Sequence, residues 1–306
     1  MRAPVAPVRL RPLIRTTLVA DVRWPKPGNV SRKGPGCGMT AVDFERSAGP
    51  VARALVDAGP GVGRRVRAAV AATRATAGCN TNLGILLLAA PLVEAALYPH
   101  GEGGLGPRLE GVVGRLSRED AAAAFAAIRL AAPAGLGRSA RHDVAGEPDC
   151  TLAEAMAEAA DRDLVARQYV TGFADVLETG MTTLARGLCR HRRRGPALAE
   201  CQLTFASRYP DSHVRRKHGP GRAEALQGRA GEVLERLRAS RDWGAWHREL
   251  TRFDRALKAE GLNPGTSADL TVTTLLALRL DPGRARERTG EVPAGSATAR
   301  RRVLQG

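Results

Sequence analysis

The chain has 306 residues and a formal net charge of +16, with 43% hydrophobic but only 4% aromatic side chains. That length suffices for one large domain or two small ones, and a core built mainly of Ala, Leu and Val has to come from many close aliphatic contacts, as between packed helices. Its lysines are Lys26, Lys33, Lys217 and Lys258, so arginine carries most of the charge; with few aromatics to stack on bases, this argues against a nucleic-acid partner and fits either a compositional arginine bias or an anionic small ligand.

Apolar spacing is helical in nearly every segment and sustained strand alternation is absent, so the expected fold class is all-α, a single globular multi-helix domain. Residues 1–15 are expected as an N-terminal arm, 16–281 as the helical domain and 282–306, with six arginines from Asp281 onward, as a basic flexible tail. A short helix over 16–24 stops before Pro25-Lys26-Pro27-Gly28, a helix follows over 42–58, and Gly59-Pro60-Gly61-Val62-Gly63 opens another through Ala77. The glycine spelling there resembles a phosphate loop, but it follows a helix rather than a strand and reads as a connector. Further helices are expected over 83–97, 118–132, 152–178, 182–193, 197–207, 222–239, 242–260 and 267–280, with loops over 100–114 and 136–150. Thr151 with Glu154, and Thr266 with Asp269, have capping-box spacing.

The cysteines form no C-x-x-C pair and no secreted-type framework, so they are expected to be reduced. The most apolar run, 83–93, is too short to span a bilayer and contains Pro91; a cytoplasmic location is expected and a homodimer remains open.

Four polar segments sit at the edges of these helices. In Lys26-Pro27-Gly28-Asn29-Val30 the prolines stiffen a turn, which reads as an ordinary surface turn or as a holder for a cationic head, with Asn29 and Arg32 nearby as donors. Asn80, Thr81 and Asn82 precede an apolar helix; one of them has to be its N-cap, and a helix start also attracts anions. Asp211-Ser212-His213-Val214-Arg215-Arg216-Lys217-His218 is the densest cluster of functional side chains, expected in a turn after Tyr209-Pro210. In Asn263-Pro264-Gly265-Thr266-Ser267-Ala268-Asp269-Leu270, a capping role alone would account for Asp269.

In this order the four segments resemble the triphosphoribosyl-dephospho-CoA synthase family, whose members carry P-K-P-G, T-G-x-N-T-H-K-G, D-T-N-x-x-x-R-G and S-P-G-G-S-A-D-L. The resemblance implies a transferase that replaces the adenine of ATP, at the ribose anomeric carbon, by an acceptor hydroxyl. It further implies Mg²⁺ accompanying ATP, with Asp211 as its ligand. Lys26, Gly28, Asn29, Arg32, Asn80, Thr81, Asn82, Arg216, Lys217 and Ser267 would then hold ATP and its phosphates, and Asp211, His213 and Asp269, in that order, are the candidate bases. Lys26 and Asp211, read as turn residues, should tolerate substitution at little cost in stability.

The chain also departs from the family. Asn82 and Leu83 stand where its members have His-Lys, His213 where they have Asn, and Gly36-Cys37-Gly38-Met39 where they have H-x-D-M, with Asp43 and Glu45 close by. In place of G-A-R-G-E-A stands Arg141-His142-Asp143-Val144, followed by a helical stretch with Asp161-Arg162-Asp163 and Gln168-Tyr169. These spellings resemble a divergent branch associated with tetrahydromethanopterin-dependent one-carbon metabolism. The acceptor is therefore dephospho-CoA or a pterin-type precursor, the alternative being a ribosyl-transfer or accessory step in that pathway. A non-catalytic helical protein that binds a nucleotide or nucleic acid is the reading from another class.

Overall fold

In α4 (Leu83–Leu97) the unbroken run 85–96 is buried, and α14 (Gly265–Leu280) buries 266–278 except Asp269. Helices apolar on every side belong at the centre of a bundle, and these two pack against each other there. The threonines of α14 stay satisfied in that setting because Thr271, Thr273 and Thr274 each donate a hydroxyl to the carbonyl four residues back, all at 2.8 Å. The computed structural model describes residues 4–32, 34, 39–98, 103–240 and 242–283.

Around this pair run α1 (Pro7–Arg23), α2 (Ala41–Asp57), α3 (Val62–Ala77), α5 (Leu105–Val113) and α6 (Arg118–Ala131). The chain continues through α7 (Leu152–Ala159), α8 (Leu164–Val170), a π-helical turn (Asp175–Gly180), α9 (Met181–His191), α10 (Arg194–Arg208), α11 (Ser212–His218), α12 (Pro220–Ala239) and α13 (Trp243–Ala259). No strand occurs among the described residues, so the all-α expectation is borne out. One large aliphatic core joins α1–α6 to α14, and a smaller one, with Leu203, Leu226, Trp246 and Leu257, joins α10, α12 and α13. Among the described residues no helix is long and apolar enough to cross a membrane.

Several elements differ from the sequence expectation. The first helix starts at Pro7, not residue 16, because Pro fits the first turn and Leu10 and Ile14 give the segment a buried face. Within the expected loop 100–114, Leu105, Leu109 and Val112 recur at helical spacing and are buried, forming α5. The long helix over 152–178 is three pieces: Asp163 caps a new helix, and Gly172 and Phe173, at φ 59° and 61°, turn the chain into the π-helical segment. The expected turn after Pro210 is α11, capped by Asp211. The basic tail from residue 284 onward lies outside the described residues.

The Gly59–Gly63 string is a connector, as expected. A Cβ on Gly63 would fall 2.2 Å from the Asp120 carbonyl oxygen, so its absence lets α3 lie directly on α6. Close by, the Arg65 Nε and Glu94 Oε2 atoms meet at 2.5 Å in the interior, while Arg65 Nη1 donates to the Leu55 and Val56 carbonyls at the end of α2. This pair ties α2, α3 and α4 together. Glu94→Gln is therefore expected to destabilise the protein by about 3–5 kcal/mol, since it leaves a guanidinium buried without its counter-charge; urea unfolding followed by circular dichroism measures it.

Candidate functional site

Helix starts surround a cavity of about 950 Å³, a size suited to a nucleotide-sized ligand. Asn80–Gly84 bring in the start of α4, Asp163 that of α8, His213–Lys217 the helix α11, and Thr266 and Asp269 the start of α14. Asp21 of α1 and Asn29 complete the polar end. Leu87, Phe125, Ile128, Leu152, Met156 and Val165 supply its apolar lining, together with residues of the 132–144 segment.

Asp211 organises this assembly from behind the wall. Its Oδ1 accepts from the His213 and Val214 amides at 3.0 and 3.2 Å, and its Oδ2 from the Ser267 amide and hydroxyl, both at 2.8 Å. The carboxylate is fully buried, outside the cavity lining, and holds the starts of α11 and α14 together at their positive dipole ends. All four of its acceptor positions are thus used, which leaves no lone pair for a metal ion or a proton in transit. Ser267, also expected at the ligand, is its buried partner.

Lys26 is likewise turned inward. It is 1% exposed; its ammonium lies 2.7 Å from Asp21 Oδ1 and also donates to the Asp21 carbonyl. The residue presented to the cavity is Asp21, and Lys26 fixes it there. Gly28, at φ 79°, gives its amide to Asp254, and Arg32 pairs with Glu45 on the surface; neither lines the cavity. Asp43 is used in a capping box with Thr40.

The expected residues that do meet at the cavity are Asn29, Asn80, Thr81, Asn82, His213, Arg216, Lys217 and Asp269. Asn82 occupies the N-cap position of α4, but it is the Asn80 side chain that accepts from the Leu83 amide at 3.1 Å; Asn82 Oδ1 instead takes the Thr73 hydroxyl. Arg216 Nη1 meets Asp163 Oδ2 at 2.5 Å, while Asp163 Oδ1 caps α8. Sequence reading assigned no role to Asp21 or Asp163. The break before α8 was the signal available for Asp163; Asp21, inside a helix, carried none.

The capping box expected for Asp269 is absent. Pro264 takes the N-cap position, and the Thr266 hydroxyl accepts from the His213 amide at 3.2 Å. Among the described residues the Asp269 carboxylate finds no hydrogen-bond donor, and it lies so close over Gly84 that a Cβ there would be 2.0 Å from Oδ2. Enclosure in the protein pushes its pKa well above the ordinary 3.8; repulsion from Asp21, Asp211 and Asp163 adds to the rise, and Arg216 partly opposes it. His213 moves the other way: burial lowers its pKa from 6.5, against the pull of Asp211, so the imidazole is neutral at pH 7. Thr81 Oγ1, His213 Nε2 and Arg216 Nε, all on residues of the cavity wall, lack hydrogen-bond partners among the described residues.

Fold and site thus define an all-helical protein with a nucleotide-sized polar cavity. The family model for ATP:dephospho-CoA triphosphoribosyl transferase, CitG, matches residues 8–288, and the chain belongs to that family of transferases. A crystal structure from Archaeoglobus fulgidus, provisionally named as a triphosphoribosyl-dephospho-CoA synthase, is similar at 26% identity and a TM-score of 0.59, covering 76% of this chain and 96% of that one. A comparison with curated proteins returns no match.

The two aspartates are expected to respond oppositely to amidation. Asp211→Asn replaces an acceptor oxygen by a donor facing backbone N–H groups and should cost about 2–4 kcal/mol. A raised carboxylate pKa means that stability is lost as pH rises from 3.8 through the folded-state value and stays lost above it. Asp269→Asn should therefore raise the melting temperature at pH 7 and flatten its dependence on pH over that interval. Thermal melts of both variants across pH 4–8 check this.

Proposed function

We propose that this cavity transfers the triphosphoribosyl group of ATP, with Mg²⁺ accompanying the triphosphate and with His213 rather than Asp211 as the base. The observation that carries the reading is the pairing of an unpartnered, electrostatically strained Asp269 with an unpartnered His213 on one wall. Asp21 and Asp269 supply hard oxygen donors on facing helices, and their mutual repulsion is what a divalent cation relieves, so the donor set fits Mg²⁺. When bound, the ion would neutralise part of the triphosphate charge. Arg216, oriented by Asp163, and Lys217 at the cavity rim supply cationic contacts for the phosphates.

The ribose C1′–N9 bond breaks and a bond from C1′ to the acceptor oxygen forms, while the hydroxyl proton leaves and a proton reaches the departing adenine. Neutral His213 can take the hydroxyl proton. The acidic wall opposes no positive charge that builds on the ribose, and the helix starts of α4 and α14 fix both reactants.

Dephospho-CoA is the acceptor for which the family is named. A pterin-type hydroxyl acceptor is the second reading, favoured by the 132–144 wall, where the chain lacks the G-A-R-G-E-A segment and presents His142 and Asp143 to the cavity instead. The two are separated by adenine release from Mg-ATP with each acceptor. A rate with dephospho-CoA of about 1 per second or more removes the second reading.

Asp269→Asn and His213→Gln are each expected to lower adenine release by about 10²-fold or more while the proteins remain folded. Because protonation silences His213, activity should fall on the acid side below its ordinary 6.5, and this limb should vanish in His213→Gln. Stability follows the same group: with the folded-state pKa depressed, the contribution is lost as pH falls from 6.5 through the folded value. A pH–rate profile beside thermal melts tests the assignment, and unchanged turnover in either variant removes that residue from the mechanism.

A further inference from the structure

The 132–151 stretch carries a second group of reactive side chains, of which only His142 also borders the transfer cavity. It is a long connection without helix between α6 and α7, of the length at which loops are usually functional. It is nonetheless well tied down. Arg129 Nη1 donates to the Val144 and Gly146 carbonyls at 2.7 and 3.0 Å, Arg118 Nε to the Pro148 carbonyl at 2.7 Å, and Asp143 accepts from the Ser139 and Ala145 amides, both at 2.7 Å.

On this frame His142 Nδ1 stands 2.8 Å from Asp149 Oδ1, and with the Cys150 sulfur the three ligand atoms lie within 4.8 Å of one another. Cys150 is buried and the imidazole nearly so, whereas Asp149 reaches solvent and leaves a way in for an ion. The group opens on a hollow of about 470 Å³ also lined by Glu154, Glu158 and Arg141. Three carboxylates and one guanidinium line the hollow, with Arg118 also close to Asp149 and Cys150, so the lining itself is acidic in a strongly basic chain, which favours cations.

We propose that His142, Asp149 and Cys150 bind a borderline divalent transition ion of the zinc type, which staples the loop closing the cavity. The donor chemistry selects the ion: imidazole, thiolate and one carboxylate suit zinc and disfavour Mg²⁺, which takes oxygen. With bonds of about 2.0–2.3 Å in a tetrahedron the ligand atoms would stand roughly 3.5 Å apart, so the hydrogen-bonded His142 and Asp149 atoms, at 2.8 Å, have to part slightly while the Cys150 sulfur closes in, and water completes the coordination. The thiol proton is released to solvent when the sulfur binds. This site is separate from the Asp21 and Asp269 oxygens, so the ion that travels with ATP does not compete for it.

The test is titration of the full-length, chelator-treated protein with Co²⁺. The expected result is one equivalent bound with sulfur-to-cobalt charge-transfer absorption and tetrahedral visible bands, displaced by Zn²⁺ and unaffected by excess Mg²⁺. Cys150→Ser should abolish the charge-transfer band, Cys189→Ser, at the exposed thiol, should retain it, and His142→Gln should weaken Co²⁺ binding by more than the roughly tenfold that loss of an outer-shell partner costs. Absence of the band in the unaltered protein overturns the proposal, as does its survival in Cys150→Ser. If Cys150→Ser fails to fold, a folded His142→Gln that binds Co²⁺ with unchanged affinity overturns it equally.

Discussion

One buried carboxylate, that of Asp211, sets the geometry on which the cavity depends. It accepts hydrogen bonds from the starts of two helices, α11 and α14, and so converts two separate chain segments into one rigid corner. His213 and Arg216 then project from one arm of that corner and Asp269 from the other. Removing the charge would leave backbone donors unpaired in a place water does not reach. A residue that the family motif marks as a metal ligand and base thus holds in place the groups that line the cavity.

A second constraint comes from the centre of the bundle. α4 and α14 are buried on all sides, so their polar ends cannot lie anywhere but at an opening, and both starts open on the same cavity. Gly84 lets Asp269 come to within contact of the α4 backbone, which places an acid over a helix start with no side-chain donor to satisfy it. Such an arrangement costs stability, and it suits the cation proposed above.

The distribution of charge separates two effects that the overall +16 blurs together. Asp21, Asp163 and Asp269 line the cavity, the first two paired with Lys26 and Arg216 and the third without an ion-pair partner among the described residues, while Arg215 and Lys217 stand exposed at its rim. A cationic rim favours a polyphosphate, and carboxylates inside favour the cation proposed to accompany it. Neither property follows from the net charge.

The helical fold, most of its helices and the four polar segments were legible in the sequence, because helical periodicity and proline or glycine breaks are local properties of the chain. Asn80–Asn82, His213, Arg216 and Asp269 were named because each lies in a short polar segment between helices whose spelling resembles a family motif. Which way a side chain turns was not legible. Lys26 and Asp211 read as exposed turn residues, yet the partners that bury them, Asp21 in the preceding helix and Ser267 in α14, are set by packing between elements. Asp269 spells a capping box, but the helix starts at Gly265 because Thr266 is taken by the His213 amide, across a separation of 53 residues. Periodicity carries information over one or two helical turns; the assignment of a charge to the interior, the rim or the cavity depends on neighbours brought together only when the helices pack.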